Sequence, residues 1–204
     1  MTLWRGTYPL ILASQSSTRQ ALLANAGISF EALPADIDER EIQHASKLSA
    51  PGDIAALLAR RKAVSVSSRQ PGRFVVGADQ TLARGLRLFV KPAGRAQAAE
   101  QLCALVGGSH ELHSAVAVAR DGKILFEAVS IARMTMRQLG EREIDAYLDA
   151  AGTAVTVTAS VGAYQLEGLG IHLFEHIEGD HFTILGLPLL PLLGFLRSAK
   201  LLGV

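Results

Sequence analysis

Short apolar runs alternate with longer segments of helical periodicity along this chain. Leu10-Ile11-Leu12-Ala13 reads as a first strand, and Ser14 to Ser17 as a polar turn. Thr18 to Ala26 favours helix, with Leu22 and Leu23 on a buried face and Gly27 as its stop. Phe30 to Leu33 reads as a second strand, and Asp36 to Glu41 as an acidic loop or helix start. Ile54, Leu57, Leu58 and Val64 recur at helical spacing and predict a helix over 54–67, with Arg60, Arg61 and Lys62 as its basic residues. Phe74-Val75-Val76 is a buried strand that ends at Gly77-Ala78-Asp79 and carries Asp79 to the rim of a sheet.

The second half continues the pattern. Ala93 to Val106 predicts a helix closed by Gly107-Gly108. Leu112 to Ala119 and Ile124 to Met136 predict two strands joined by a turn at Arg120-Asp121-Gly122-Lys123. Glu141 to Ala150 is a helix, Ser160 to Gly170 a glycine-rich loop, and Phe182 to Leu185 a strand. A final helix starts near Pro188 or Pro191. Strands alternating with helices, plus one hairpin, predict an α/β fold on a mixed sheet.

Composition bounds the function. The 204 residues suffice for one large domain or two small lobes, and 49% apolar with 19% charged residues is globular. A net charge of +1 argues against broad nucleic-acid binding but permits local phosphate binding. A single cysteine, Cys103, excludes an internal disulfide and reads as a small core residue of a helix, in keeping with a reducing, cytoplasmic setting. The N-terminal stretch lacks a signal-peptide pattern, and the apolar stretch 184–196 is too short and too broken by Gly and Pro to span a membrane.

Several segments carry candidate chemistry. In Ala13 to Arg19 a strand runs through hydroxyls into a helix start, where free N–H groups favour an anion and Arg19 adds a fork matched to phosphate. A serine cap with a solvated arginine fits the same residues. The carboxylates of Asp36-Ile37-Asp38-Glu39 suit a hard cation, or a solvated acidic turn. Lys62, with basic neighbours on its helix, reads as part of a solvated basic face. Lys91 is held in extended backbone by Pro92. Tyr164 to Gly170 places Glu167 in a glycine-rich loop. There is no Gly-x-x-x-x-Gly-Lys-Ser/Thr loop, no Gly-x-Ser-x-Gly elbow and no clean zinc spacing among the histidines.

Taken in order, these segments resemble the Maf family of nucleoside triphosphate pyrophosphatases over nearly the whole chain. Leu12 to Arg19, Asp36 to Glu39, Ala59 to Ala63, Val76 to Asp79 with Lys91-Pro92, and Tyr164 to Gly170 with Ile177 to Pro188 carry the likeness. The resemblance implies a single domain over 1–204, a two-lobed α/β fold around a long mixed sheet, and an active-site cleft between the lobes. It implies hydrolysis of a nucleoside triphosphate to the monophosphate and pyrophosphate with a divalent metal, Mg²⁺ or Mn²⁺. In that reading Asp79 activates water and, with Glu39, holds the metal, while Ser14, Arg19, Lys62 and Lys91 contact phosphates. The sequence departs from the family pattern at Ser17, Thr18 and Val90. Gln80 beside Asp79, together with Glu167, is similar to the branch associated with 7-methyl-GTP. The resemblance favours a homodimer, while the charge balance and the short apolar runs argue against nucleic-acid and membrane partners. A non-catalytic nucleotide-binding regulator of cell division is the alternative, and a phosphomonoesterase is a third, weaker reading.

Overall fold

The computed structural model describes residues 3–151, 158 and 160–203. Its strands are β1 (Leu10–Leu12), β2 (Phe30–Ala32), β3 (Val75–Arg84), β4 (Arg87–Phe89), β5 (Ser109–Arg120), β6 (Lys123–Met136) and β7 (Phe174–Glu178). Its α-helices, among the described residues, are α1 (Ser17–Asn25), α2 (Glu39–Ser46), α3 (Pro51–Ser67), α4 (Arg95–Leu105), α5 (Glu141–Ala150), α6 (His181–Ile184) and α7 (Leu189–Ser198). Among the described residues the sheet is seven-stranded, in the order β2-β1-β3-β5-β6-β7, with β4 paired to β3. β1 runs parallel to β2 and β3, while β3–β4 and β6–β7 are antiparallel. The mixed α/β fold is therefore as expected. Among the described residues no helix is long and apolar enough to cross a membrane.

The chain forms two compact units, and neither is contiguous in sequence. Unit 1 comprises Met1–Gln80, His113–Ser130 and His181–Val204. One of its cores joins Leu10 and Leu12 of β1, Val76 and Ala78 of β3, and Val116 and Val118 of β5 to Leu192 and Leu196 of α7. On another, Ala55, Ala59 and Ala63 of α3 meet Ala115, Ala117 and Ala119 of β5. Alanine on both sides lets helix and strand approach closely, and β3 exploits the same closeness.

Unit 2 comprises Thr81–Leu112 and Ile131–Asp180. Within it, Gln101 of α4 donates to the Val90 carbonyl at 2.8 Å and accepts from the Gly162 N–H at 3.2 Å, which ties the helix to two loops. His110 lies buried beside Tyr164 and Phe174, its Nε2 hydrogen-bonded to the Tyr164 hydroxyl at 2.7 Å. Its Nδ1 is buried with no partner among the described residues.

Four expectations are corrected. β3 does not end at Asp79: it runs on to Arg84, because buried Leu82 and Ala83 continue its apolar side and pair with β4. Phe182 to Leu185 is not a strand. Residues 181–184 form one helical turn, closed by the Gly186 and Leu187 N–H groups on the carbonyls of Thr183 and Phe182, and the strand of this region is β7. Cys103 is exposed on α4 rather than buried, whereas Ala98, Gln101, Leu102 and Leu105 form that helix's buried side. The loop 160–170 is not without regular structure, since it includes the 3-10 turn Val161–Ala163 and the start of a second, Leu169–Leu173.

The His110 ring carries a consequence for stability. Burial, reinforced by the charge of Arg84, lowers its pKa from 6.5 to about 4. Protonation would also leave a charged Nδ1–H without an acceptor. The unfolded chain therefore takes up this proton first as pH falls. Stability should be unaffected by His110 above pH 6.5 and should fall by about 3 kcal/mol between pH 6.5 and 4. Urea midpoints across that range should drop more steeply for the wild type than for His110→Gln, and parallel curves would refute this.

Candidate active site

The alternation of β3 decides which of its side chains share a face. Val76 and Ala78 pack with α7 in the first core of unit 1, and Gln80 follows them on that face. Val75, Gly77 and Asp79 occupy the other face, and there Val75 packs with Val66 of α3. A Cβ on Gly77 would collide with the Ala59 carbonyl oxygen and lie 2.6 Å from the Ala63 backbone nitrogen. The backbone of α3 thus rests directly on the backbone of β3, which only glycine allows. Two residues along the strand from Gly77, and three along the helix from Ala59, Asp79 meets Lys62.

Lys62 Nζ donates to Asp79 Oδ1 at 2.6 Å and pairs with Glu39 Oε1 at 2.9 Å. Lys62 and Asp79 are buried, 9% and 7% exposed, whereas half of the Glu39 side chain is exposed. Lys62 lies on the small-residue face of α3 between Ala59 and Ala63, while Arg60 pairs with Glu127 at the surface. The basic run is therefore split between two environments. Glu39 is the first residue of α2. Asp38 caps that helix by accepting from the Glu41 N–H at 2.9 Å, so the acidic segment is a helix start whose next carboxylate turns to Lys62.

Arg19 reaches the same region from the first turn of α1. Its Nε donates to the Gly186 carbonyl at 2.7 Å, and its Nη1 to the Ala78 carbonyl at 3.0 Å and to Ser14 Oγ at 3.3 Å. Ser14 Oγ also accepts from the Ser16 N–H at 3.2 Å, and Ser16 caps α1 through the Arg19 N–H. Arg19 thus ties β1, α1, β3 and the turn after α6 together. Gly186 meets it with φ +86°, a left-handed conformation suited to glycine.

The electrostatics follow from burial. Burial pushes the Asp79 carboxyl above its ordinary value, Lys62 and Arg19 pull it back, and Glu39 adds to the push. Burial likewise lowers the Arg19 guanidinium, against the attraction of Asp79 and Glu39. Two cations and two carboxylates converge here. Among the described residues, no group of three or more His, Cys, Asp or Glu side chains gathers at metal-holding spacing.

Unit 1 therefore brings together Ser14, Arg19, Glu39, Lys62 and Asp79. Lys91 and Glu167 belong to unit 2, where both are exposed: Lys91 follows β4, and Glu167 lies in the turn before the second 3-10 helix. Gln80 faces away from Asp79. Its Nε2 lies within hydrogen-bond distance of Ser114 Oγ (2.8 Å) and of the Thr183 and Ile184 carbonyls (3.1 and 3.0 Å). Ser114 in turn donates to the Thr183 carbonyl at 2.6 Å. Sequence reasoning missed Ser114, and it placed Gly186 in a family-like segment without its contact to Arg19. The available signal for Ser114 was a lone hydroxyl at the head of the apolar run Ala115 to Ala119.

The family model described as Maf-like protein matches residues 9–199, and the chain belongs to that family. It is 72% identical to the nucleoside triphosphate pyrophosphatase of Bradyrhizobium diazoefficiens, over the full length of both chains. It is 69% identical, again over both full lengths, to a protein of the same name from Rhodopseudomonas palustris. It is 52% identical to the 7-methyl-GTP pyrophosphatase of Mesorhizobium japonicum, over 94% of this chain and 96% of that one.

The helix–strand approach yields a direct test. Gly77→Ala should force α3 off β3 and destabilise the protein by about 2 kcal/mol. Urea unfolding measures the loss, and a crystal structure of the variant should show Lys62 drawn away from Asp79. Unchanged stability would contradict the close approach.

Proposed function

We propose that this protein hydrolyses nucleoside triphosphates to the monophosphate and pyrophosphate, with Asp79 as the base. The observation that carries the reading is the convergence of Asp79, Lys62 and Glu39 within 2.9 Å contacts in a Maf family member. The names of the relatives supply the substrate class. Asp79 takes the proton of a water attacking the α-phosphorus. The bond from that phosphorus to the bridging oxygen breaks, and pyrophosphate leaves with the electron pair. Lys62, Lys91, Arg19 and Ser14 are the proposed phosphate contacts. Arg19 also keeps the Ala78 carbonyl, and with it the backbone next to the base, in place. Charge placed in advance, with little covalent chemistry, is what phosphoryl transfer asks of a protein.

Glu39 and Asp79 fit a divalent cation, because hard ions take one or two carboxylates alongside substrate phosphate oxygens. Both carboxylates already converge on a cation, the Lys62 ammonium. When bound, the ion would neutralise phosphate charge and acidify water. Homodimerisation is carried in this reading by the resemblance alone, and a cytoplasmic location also by the single cysteine. Base preference within the triphosphates includes 7-methyl-GTP, supported by the 52% identical relative of that name and by Glu167.

Purified protein with Mg²⁺ or Mn²⁺ should convert members of a panel of normal and methylated triphosphates to monophosphate and pyrophosphate in equal amounts. Nucleotide binding without product would favour the regulator, and phosphate in place of pyrophosphate the phosphomonoesterase. Asp79→Asn should lower kcat by about 10²-fold or more while nucleotide still binds. Full activity in that variant would remove Asp79 from the base role.

A further inference from the structure

The Lys62 ammonium sits where the proposed metal would have to bind. Its Nζ lies 2.6 Å from Asp79 Oδ1 and 2.9 Å from Glu39 Oε1, the two oxygens best placed to hold a cation. A divalent ion on those oxygens would stand within a few ångströms of Nζ, and two positive centres at that range in a buried site repel strongly. Lysine is suited to yield, because it is a point charge on a flexible four-carbon stem. The backbone beneath it is not. Gly77 seats α3 on β3, and Arg19 holds the Ala78 carbonyl at 3.0 Å. Removing the lysine without replacing its charge would leave Asp79 buried beside Glu39, so withdrawal requires a second cation to arrive.

We propose that Lys62 is a built-in counter-cation that metal displaces from Glu39 and Asp79, and that the displaced ammonium then binds substrate phosphate. This rests on the pyrophosphatase reading for the identity of cation and phosphate. One side chain thereby makes both the resting contact with the carboxylates and the phosphate contact. Metal and phosphate ligand must then bind cooperatively, since each favours the state in which Lys62 has left the carboxylates.

Free Mn²⁺ measured by electron paramagnetic resonance tests this without turnover. In the absence of nucleotide, Lys62→Met should bind Mn²⁺ at least tenfold more tightly than the wild type. A nucleoside monophosphate should tighten Mn²⁺ several-fold more on the wild type than on the variant, where only direct coordination of the phosphate to the ion remains. Lys62→Gln, which keeps a polar group against the carboxylates, replaces Lys62→Met if circular dichroism shows the latter unfolded. A further measurement needs no variant. Acetylation of Lys62, followed by mass spectrometry, should be slow in metal-free wild type and should rise several-fold with saturating Mn²⁺. Equal Mn²⁺ affinities, cooperativity undiminished in the variant, or acetylation indifferent to Mn²⁺ would each overturn the proposal. The product assay on wild type tests the pyrophosphatase reading by itself, so either failure can be told from the other.

Discussion

The ion pair between Lys62 and Asp79 is the contact on which the arrangement of the site depends. Both groups are nearly closed off from solvent, at 9% and 7% exposure. Two isolated charges there would cost several kcal/mol each, so each residue is tolerable only because the other is within 2.6 Å. That distance is set by the backbone. Gly77 removes the side chain that would hold α3 away, and the alanine face of the helix removes the rest of the obstruction. Lys62 then projects from the turn between Ala59 and Ala63 onto the strand position that follows Gly77 on the same face. Glu39, half exposed at the start of α2, completes the pairing from outside.

Period-two geometry explains why neighbours on β3 serve different ends. Asp79 shares a face with Gly77 and meets the lysine, whereas Gln80 shares a face with Ala78 and meets Ser114 and the backbone of α6. Gln80 therefore grips the segment that ends at Gly186, and Gly186 accepts from Arg19, which in turn holds the Ala78 carbonyl. The strand segment around Asp79 is restrained from two directions by bonds that never touch Asp79 itself. Gln80, which enters the sequence reading only through its likeness to the 7-methyl-GTP branch, holds this loop in the structure.

Much of the fold was legible because helix and strand periods are local. The helix at 141–150 and the hairpin of β5 and β6 appear close to where the apolar pattern puts them. The errors fall where tertiary context overrides local pattern. Gly77 reads as a place for the chain to turn, yet it serves close packing in a strand that continues to Arg84. Phe182 to Leu185 is apolar enough for a strand, yet it makes a single helical turn closed by Gly186 and Leu187. Cys103 was assigned to a core by residue type, and the helix turns it outward. For the candidate site, the family resemblance pointed to Ser14, Arg19, Glu39, Lys62 and Asp79, and unit 1 gathers these five. What could not be read was which bonds those residues already make. Three acceptors for Arg19 and two carboxylates for one ammonium are facts of packing, invisible in a motif.

Those bonds also bear on why the charges are there. Replacing a buried ion pair by well-packed apolar groups is often neutral or stabilising, so stability alone is a poor reason to keep one. The alternative is on view in the same helix, where Ala55, Ala59 and Ala63 pack against the alanines of β5. A fold seeking only cohesion would extend that apolar seam through positions 62 and 79. Instead it seats a carboxylate and an ammonium at the seam's end, with a second carboxylate open to solvent beside them. Burial then pushes Asp79 toward holding its proton while Lys62 and Arg19 pull against it. A carboxyl held between these influences is responsive to any cation that joins or leaves its surroundings, which is what the proposed role of base beside a metal and a triphosphate would require. The cohesion given up at these two positions is consistent with a site arranged for chemistry on phosphate.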